Sequence, residues 1–252
     1  GVDNGIEREP RVRVYNMGAN QWRTYPTWPP REAKPVTYYL DSDGTANTLK
    51  GNGRLVLTRP RAAARDTFTY DPLKPTPSAG GQVCCFNAAQ PGSFDQAPMQ
   101  SRPDVLVYTS DVLTAPVDVT GPVTVTLHVA SDVKDTDLMV RLVDVHPDGK
   151  AYNLDEQALR LRWRDGWDAP VLMEPGKVYQ VKLPPLVTSN TFKAGHRIRI
   201  SVASSSFPVY ERNLNTGGPN YNEKDPVVAH TSIHHGPAHP SSVTLSVVPA
   251  RP

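Results

Sequence analysis

The chain lacks the features that mark membrane proteins and nucleic-acid-binding proteins. No apolar run approaches the roughly 18 residues that a membrane helix needs, and no charged segment followed by an apolar one opens the chain as a signal peptide would. The 27 basic and 25 acidic residues leave a net charge of only +2, and they are interspersed. A nucleic-acid-binding domain normally carries a basic stripe with interleaved aromatics. We therefore expect neither a membrane nor a nucleic acid as a partner.

Cysteine is also scarce, with two residues in the whole chain. Cys84 and Cys85 are adjacent, and neighbouring side chains on an extended strand point to opposite faces. A disulfide between them would need unusual geometry. Cysteine usage therefore leaves the compartment open, either the bacterial cytoplasm or outside the cell, and the sequence does not indicate an oligomeric state.

The nucleophile motif of serine hydrolases is missing. An α/β-hydrolase holds its serine on a strained turn of the form G-x-S-x-G, and no glycine of this chain is followed two residues later by serine. The hydroxyl-rich segment 204–208 has no glycine frame and lies at a strand end, which favours turn hydrogen bonding. We expect no catalytic residue in the chain, and no activity of the chain alone.

Proline and glycine are abundant instead, with 26 and 17 residues spread along the whole length. This distribution favours many short strands joined by turns and disfavours long helices. Alternation of apolar and polar residues is the dominant pattern, and it predicts half-buried strands at 122–130, 157–165, 195–204 and 241–248. Weaker patterns predict further strands, at 11–17, 36–40, 53–58, 66–70, 104–110, 137–145 and 177–183.

About ten strands without intervening helices indicate an all-β antiparallel sandwich or jelly roll. We predict less than about 10% helix and a single domain over 1–252, with a long loop region at 215–240. In 157–165 the pattern places Leu159, Leu161 and Trp163 on the core and the intervening arginines in water. The predicted core comprises Val123, Val125, Leu127, Val129, Leu159, Leu161, Ile198, Ile200, Val202, Val243 and Leu245.

Two polar groups have the composition of a metal or acid–base site. Asp135 and Asp137 precede a strand, and we interpret them as caps of a turn, which is common for aspartate. The group of His230, His234, His235 and His239 is the most metal-like of the chain, but prolines and glycine leave little room for a helix that would align it, and no carboxylate or cysteine completes a shell. We predict no metal and no cofactor. A metal-dependent enzyme built on these histidines stays an alternative hypothesis.

Aromatic residues cluster near the start, where Trp22 and Trp28 lie in a proline-rich stretch. They could be core residues, a platform for sugars, or an apolar face that contacts a partner domain. The segment 80–86 ends on Cys85 and Phe86, and it is either one more buried strand or a loop that reaches a partner.

Read together, many segments resemble the C-terminal domain of CocE/NonD serine hydrolases, a group with cocaine esterase-like and Xaa-Pro dipeptidyl-peptidase-like members. The segments that carry the resemblance cover nearly the whole chain in the same order: VYNMGANQWRTYPTWPP (14–30), FTYDPLKPTPSAGG (68–81), RPDVLVYTSDVL (102–113), VTGPVTVTLHVASDVKDTDLMVRLVDVHPDG (119–149), LRLRWR (159–164), TSNTFKAGHRIRISVASSSFPVYERNLNTGG (188–218) and SIHHGPAHPSSVTLSVV (232–248).

The resemblance implies a galactose-binding-like jelly roll that covers an α/β-hydrolase domain with an inserted helical cap and helps to shape the substrate pocket of that domain. It also implies that residues 1–12 are a linker from that hydrolase domain, which would carry the whole Ser-Asp-His triad upstream. The partners would be these two domains of the same protein. Cys85, Phe86, Trp22 and Trp28 are then the candidates for the substrate pocket or the domain interface. A free-standing carbohydrate-binding jelly roll is the alternative.

Overall fold

A computed structural model describes residues 2–83, 89–219 and 222–249 of the chain. Strand accounts for 44% and helix for 4%, which confirms the prediction of an all-β fold. The described helical elements are α1 (Ala97–Gln100) and two 3-10 turns, at Ile6–Arg8 and Leu161–Trp163. None of the described helices is long and apolar enough to cross a membrane. The strands are β1 (Val12–Asn16), β2 (Gln21–Tyr25), β3 (Lys34–Asp41), β4 (Arg54–Val56), β5 (Ala64–Tyr70), β6 (Leu106–Ser110), β7 (Val117–Ser131), β8 (Asp137–Val145), β9 (Ala151–Arg160), β10 (Tyr179–Lys182), β11 (Leu186–Phe192), β12 (Arg197–Ala203), β13 (Ala229–His235) and β14 (Ser242–Val248).

The 15-residue strand β7 is the centre of the first layer. β10 and β11 lie end to end along one of its edges, and β13 and β14 lie end to end along the other. β5 then pairs with β13, and β3 pairs with β14. All these pairs are antiparallel, so one long strand organises six shorter ones.

The second layer has the strand order β6-β12-β8-β9 and is antiparallel throughout. The short strand β4 joins the layers, because it pairs antiparallel with β3 on one side and parallel with β6 on the other. A separate hairpin of β1 and β2 lies outside these layers. The two layers enclose one large hydrophobic cluster.

All eleven predicted core residues are buried, each less than 5% exposed, so the predicted faces of these strands are confirmed. The inner face of β7 supplies Val123, Val125, Leu127 and Val129, and the facing layer supplies residues such as Leu142. These side chains are buried because strand alternation places every second residue on the same face.

The strand predicted at 157–165 is wrong in its bounds. β9 runs from Ala151 to Arg160 and the chain then turns, so the predicted strand began six residues late and continued through a 3-10 turn. The arginines predicted to face water are largely buried as well: Arg162 lies against Asp135, and Arg164 donates to the carbonyl oxygens of Leu161 and Val171. Alternation shows that two faces differ, but it does not show whether the polar face meets water.

The outer face of β12 is covered too. The half-buried strand predicted at 195–204 implies that Arg199 faces solvent, yet it donates to Thr109 Oγ1 at 2.8 Å and to Gln100 Oε1 of α1 at 2.7 Å. Burial is the main reason that the pKa of Arg199 falls to about 10, and neighbouring Arg197 adds to the effect. The segment between β5 and β6 that carries α1 therefore covers part of the outer face of the second layer.

The long loop predicted over 215–240 contains a strand. β13 spans Ala229–His235 and lies between β5 and β7, with Ile233 fully buried. Ala229, Thr231 and Ile233 face inward, but the three histidines of the strand make this alternation hard to recognise in the sequence. The strands β2 and β11 were also not predicted, because polar residues predominate in both.

Candidate domain interface

The hairpin of β1 and β2 presents an aromatic outer face. Tyr15 pairs with Trp22 across the strands, and their rings meet edge to face at 5.5 Å between centroids. The guanidinium of Arg13 lies 5.0 Å from the Trp22 ring centroid, in cation–π distance. Trp22 is 60% exposed and Tyr15 44% exposed. This hairpin face, formed by Arg13, Tyr15 and Trp22, is an exposed apolar surface with one cationic group.

The opposite side of the hairpin is fixed to the sandwich by Asn16, which is fully buried. Its amide nitrogen donates to Asp118 Oδ1 at 3.2 Å and to Ser189 Oγ at 3.2 Å, and its oxygen accepts from Thr191 Oγ1 at 2.7 Å. Arg23 of β2 also pairs with Asp118. A buried, multiply bonded amide orients a backbone segment strongly, because each unpaired polar group would cost free energy. The hairpin is therefore held in one position.

The turn of the hairpin extends this contact. Met17 donates its N–H to Ser189 O at 2.9 Å and accepts from the N–H of Thr191 at 2.8 Å. Gly18 has φ +75°, and a β-carbon there would overlap the carbonyl oxygen of Thr191. Glycine is thus required at this position both by its backbone angle and by the close approach.

Trp28 follows the hairpin in the proline-rich segment and is 40% exposed. Thr27 Oγ1 donates to Pro29 O at 3.2 Å within this segment. Both predicted tryptophans therefore have a large part of the side chain outside the core. A cleft of about 450 Å³ lies beside the hairpin, and it is lined by residues that include Trp22, Arg23 and Asp118.

The second predicted contact region is the segment 80–86, most of which lies in the loop between Gly81 and Gly92. These two glycines exchange backbone hydrogen bonds of 2.8 and 3.0 Å, and this pair closes the base of the loop. Both have positive φ, +112° and +110°, which favours glycine. Cys85 and Phe86 lie outside the described residues, so their proposed role stays a prediction.

The base of this loop rests on β9. Phe94 donates its N–H to Asn153 Oδ1 at 2.7 Å, and the Gln82 amide hydrogen-bonds Asp155. Asp155 Oδ2 in turn accepts from the N–H of Val187 at 2.7 Å. Burial raises the pKa of Asp155 above its usual value, against the opposing effect of the backbone N–H groups of Val187 and Glu156 and of the Gln82 amide.

Strand β11 brings the two regions to one side of the domain. Its residue Val187 contacts Asp155 beneath the loop, and its residues Ser189 and Thr191 hold the hairpin turn at Met17. Residues of a strand rise about 3.3 Å each, so these anchor points are on the order of 10 Å apart. Val187 and Met17 are themselves exposed. The hairpin and the glycine pair that closes the loop thus lie on the same side of the domain, which the sequence did not reveal.

The polar groups singled out in the sequence have other partners. Asp135 and Asp137 are not turn caps: Asp135 accepts from Arg162 Nε at 2.8 Å, Asp137 accepts from Arg160 Nε at 2.9 Å, and Asn213 donates to both carboxylates. The aspartates thus connect the β8–β9 hairpin to the segment that carries Asn213.

The four late histidines do not converge. His230 is exposed and pairs with Asp132 at 2.7 Å, whereas His235 is buried near Asp66. His239 packs against His234 and against His128, at 5.6 and 5.3 Å between centroids. Burial, together with the charges of His239 and nearby arginines, lowers the pKa of His128 and His234.

A buried cluster has the composition of a catalytic triad but not its geometry. Ser42 Oγ and Asp66 Oδ2 both lie 3.1 Å from the same nitrogen of His235, Nε2. A triad needs the carboxylate and the hydroxyl on opposite ring nitrogens, and Nδ1 of His235 has no hydrogen-bond partner among the described residues. Ser42, Asp66 and His235 are also less than 5% exposed, out of reach of a substrate. The cluster is a structural one.

One further cluster was not predicted from the sequence. Asp144, His146 and His196 place one ligand atom each within 4.8 Å of one another. The D-x-H pattern at the end of β8 is the only local signal, since His196 is distant in sequence.

The described residues therefore form a β-sandwich domain whose buried polar clusters serve its fold and whose exposed aromatic hairpin is its candidate contact surface. The family model of the X-Pro dipeptidyl-peptidase C-terminal non-catalytic domain matches residues 4–244. The chain belongs to this family, which confirms the resemblance identified in its sequence.

Relatives and solved structures agree with this assignment. The chain is 41% identical over 250 residues to a cocaine esterase of Rhodococcus sp. (strain MB1 Bresler), and the match covers 98% of the chain and 43% of that protein. It is 27% identical over 237 residues to a putative Xaa-Pro dipeptidyl-peptidase of Streptomyces avermitilis, covering 81% of the chain and 33% of that protein.

Among solved structures, an α-amino acid ester hydrolase is 29% identical with a TM-score of 0.82, and the match covers 94% of this chain and 41% of that one. An aminopeptidase of a marine sediment Thaumarchaeota archaeon is also 29% identical, with a TM-score of 0.84, and the match covers 95% of this chain and 40% of that one. The chain thus spans less than half the length of the relatives that it matches.

Proposed function

We propose that the chain is the accessory domain of a serine hydrolase that cleaves ester or amide bonds, and that its hairpin face and glycine-closed loop pack against the catalytic domain. The observation that carries this proposal is the coverage: nearly all of the chain, but only 43% of the cocaine esterase, is matched. The chemistry would be attack by serine with histidine as general base, an acyl-enzyme, and hydrolysis by water. The α/β-hydrolase and cap domains would supply it.

The hairpin face has the properties of a contact between domains. It is aromatic, exposed in the chain, and rigidly fixed through Asn16. Large aromatic residues and arginine are the usual anchors of protein interfaces, and Trp22 with Arg13 supplies both. A rigid surface also loses little conformational entropy when it binds.

The alternative of a carbohydrate-binding module has weaker support from this geometry. A sugar would stack on the flat face of an exposed aromatic ring, whereas the Arg13 guanidinium lies over the Trp22 ring. Tyr15 meets Trp22 edge to face, so the two rings do not form a flat platform.

A charge placed on the hairpin face tests the proposal in the full-length protein. Trp22→Glu would remove the aromatic anchor and bury a carboxylate against the catalytic domain, which is costly even beside Arg13. We expect the hydrolase activity to be lost at a lower temperature and the domain boundary to be cut faster by protease. The matched control is Trp167→Glu, because Trp167 is 69% exposed and stacks on Trp163 of the 3-10 turn that follows β9. Equal behaviour of the two variants would contradict the proposed interface.

The loop is tested separately by Phe86→Ala in the intact enzyme. If Phe86 reaches the substrate pocket, the variant changes KM or the preference among acyl groups and leaves the melting temperature unchanged. Unchanged kinetics with a large loss of stability would show that Phe86 is a core residue instead.

A further inference from the structure

Asp144, His146 and His196 form a cluster outside the candidate interface and outside every predicted site. Asp144 Oδ1 lies 2.8 Å from His196 Nδ1, and Asp144 Oδ2 lies 3.9 Å from His146 Nε2. The two imidazole rings are 4.4 Å apart between centroids. A metal that binds each ligand at about 2.0–2.2 Å requires ligand atoms that are roughly 3–4 Å apart. Because the three ligand atoms lie within 4.8 Å of one another, the cluster is close to this arrangement.

The three side chains come from elements with fixed positions. Asp144 lies on β8, opposite Ile198 of β12. His196 directly precedes β12, and its carbonyl oxygen accepts from the N–H of Leu113 at 2.9 Å. His146 opens the turn between β8 and β9, where its N–H donates to Lys150 O at 2.8 Å. Little backbone rearrangement is therefore needed to bring the three ligands to one ion.

The surroundings also fit a metal site. Asn190 Nδ2 donates to Asp144 Oδ2 at 3.4 Å, and the Tyr152 ring packs against His146 at 5.0 Å. A hydrogen bond to a ligating carboxylate, such as the one from Asn190, orients the metal ligand in known sites. The Asp144 and His196 side chains are 6% and 10% exposed, whereas that of His146 is 38% exposed. An ion can thus enter beside His146, and a water molecule can take the remaining position.

We propose that Asp144, His146 and His196 bind a divalent transition-metal ion such as Zn²⁺. Two imidazoles and one carboxylate are a donor set that suits zinc and its neighbours in the first transition row, and not Mg²⁺. The ion would replace the hydrogen bond between His196 Nδ1 and Asp144 Oδ1, and the imidazole would carry its hydrogen on Nε2. The ion would connect the ends of β8 and β12 to the β8–β9 turn, which stabilises this edge of the second layer.

The other histidine cluster fits a cation less well. His128, His234 and His239 have no carboxylate among them, and the positive charges of Arg59 and Arg65 lie close enough to lower the pKa of His128 and His234 respectively. These arginines would repel a metal ion. This cluster is therefore the natural control for zinc that binds to histidine without a built site.

The test is calorimetric titration of the metal-free full-length protein with ZnCl₂ and, separately, MgCl₂. We expect one zinc ion to bind per chain and His146→Gln to weaken its binding at least 100-fold. Magnesium should not bind comparably, and His239→Gln should leave the zinc affinity unchanged. Asn190→Ala should weaken zinc on the order of tenfold, as losses of outer ligands do. Zinc should also raise the melting temperature of the wild type but not that of His146→Gln.

Two results would overturn the proposal. The first is that the wild type binds no zinc, or binds zinc only in a way that His146→Gln leaves unchanged. The second is zinc binding that His239→Gln removes and His146→Gln leaves intact. Since His146 lies on an exposed turn, His146→Gln should fold, and the melting temperature of its metal-free form verifies this.

Discussion

Removing the carboxylate of Asp66 should strongly destabilise the domain. Asp66 is fully buried between the layers and accepts hydrogen bonds from Ser42 Oγ, from the N–H of Ala46 and from Tyr108 OH, at 2.7, 2.8 and 2.8 Å, with His235 at 3.1 Å. In Asp66→Ala these donors lose their shared acceptor.

The size of the stability loss depends on the donors that find no other acceptor when the Asp66 carboxylate is removed. Ser42 and His235 can still bind each other, since they are 3.1 Å apart. The N–H of Ala46 and the hydroxyl of Tyr108 have no such replacement, and a buried unpaired group costs about 1–3 kcal/mol. Loss of the charge that faces His235 adds to this. We expect Asp66→Ala to lower the free energy of unfolding by about 3–5 kcal/mol.

The pH dependence gives a second readout. Burial alone would raise the pKa of Asp66, but the hydrogen bonds from His235, Ser42, Ala46 and Tyr108 outweigh burial and hold the pKa below its ordinary value. A carboxyl group with a lowered folded pKa stabilises the protein above its unfolded pKa, about 3.9. That stability is lost as the pH falls through the folded value. The difference in the free energy of unfolding between the wild type and Asp66→Asn should therefore become smaller below about pH 4.

Urea unfolding of the wild type and both variants at several pH values measures these differences. The control is Asp43→Ala, because Asp43 is 75% exposed and its carboxylate lies 3.8 Å from Arg54. An exposed pair of this kind contributes about 0–1 kcal/mol. The reasoning would be refuted if Asp66→Ala were as stable as Asp43→Ala, or if the Asp66→Asn deficit grew on acidification.

The remaining predictions concern the hairpin. Gly18→Ala should lower the free energy of unfolding by about 1 kcal/mol or more beyond the effect of Gly176→Ala. Both glycines have positive φ, but only at Gly18 would a β-carbon overlap the backbone of Thr191, whereas Gly176 faces open space. Equal urea midpoints for the two variants would contradict this. In the full-length protein, Gly18→Ala should also reproduce part of the Trp22→Glu phenotype, measured as faster proteolysis at the domain boundary, because it displaces the same hairpin.

Sequence and structure agree best where alternation is strong. Val123, Val125, Leu127 and Val129 were assigned to the core from their spacing, and all four are fully buried. β13 was not recognised, because His230 and His234 suggested a polar loop although they lie on the outer face of a strand. The bounds of β9 were wrong for a related reason: the alternation of Leu159, Leu161 and Trp163 continues through a 3-10 turn, in which alternation carries no meaning.

The candidate interface was predictable only in part. Trp22 and Trp28 were named from their aromatic character and from the family resemblance, and their exposure agrees with a contact role without testing it. The position of the hairpin on the same side as the Gly81–Gly92 pair depends on β11, whose pairing with Met17 joins residues that are far apart in sequence.

The sequence by itself determined the class of fold, the core faces of the main strands and the family, because each of these depends on local spacing or on the order of whole segments. The tertiary structure alone decided which polar residues meet. Strand pairing brought Ser42, Asp66 and His235 together, and it placed His196 beside Asp144 and His146. The physical reason is that alternation separates two faces of a strand, whereas the neighbours on each face depend on pairing register and on the segments that cover the sheet.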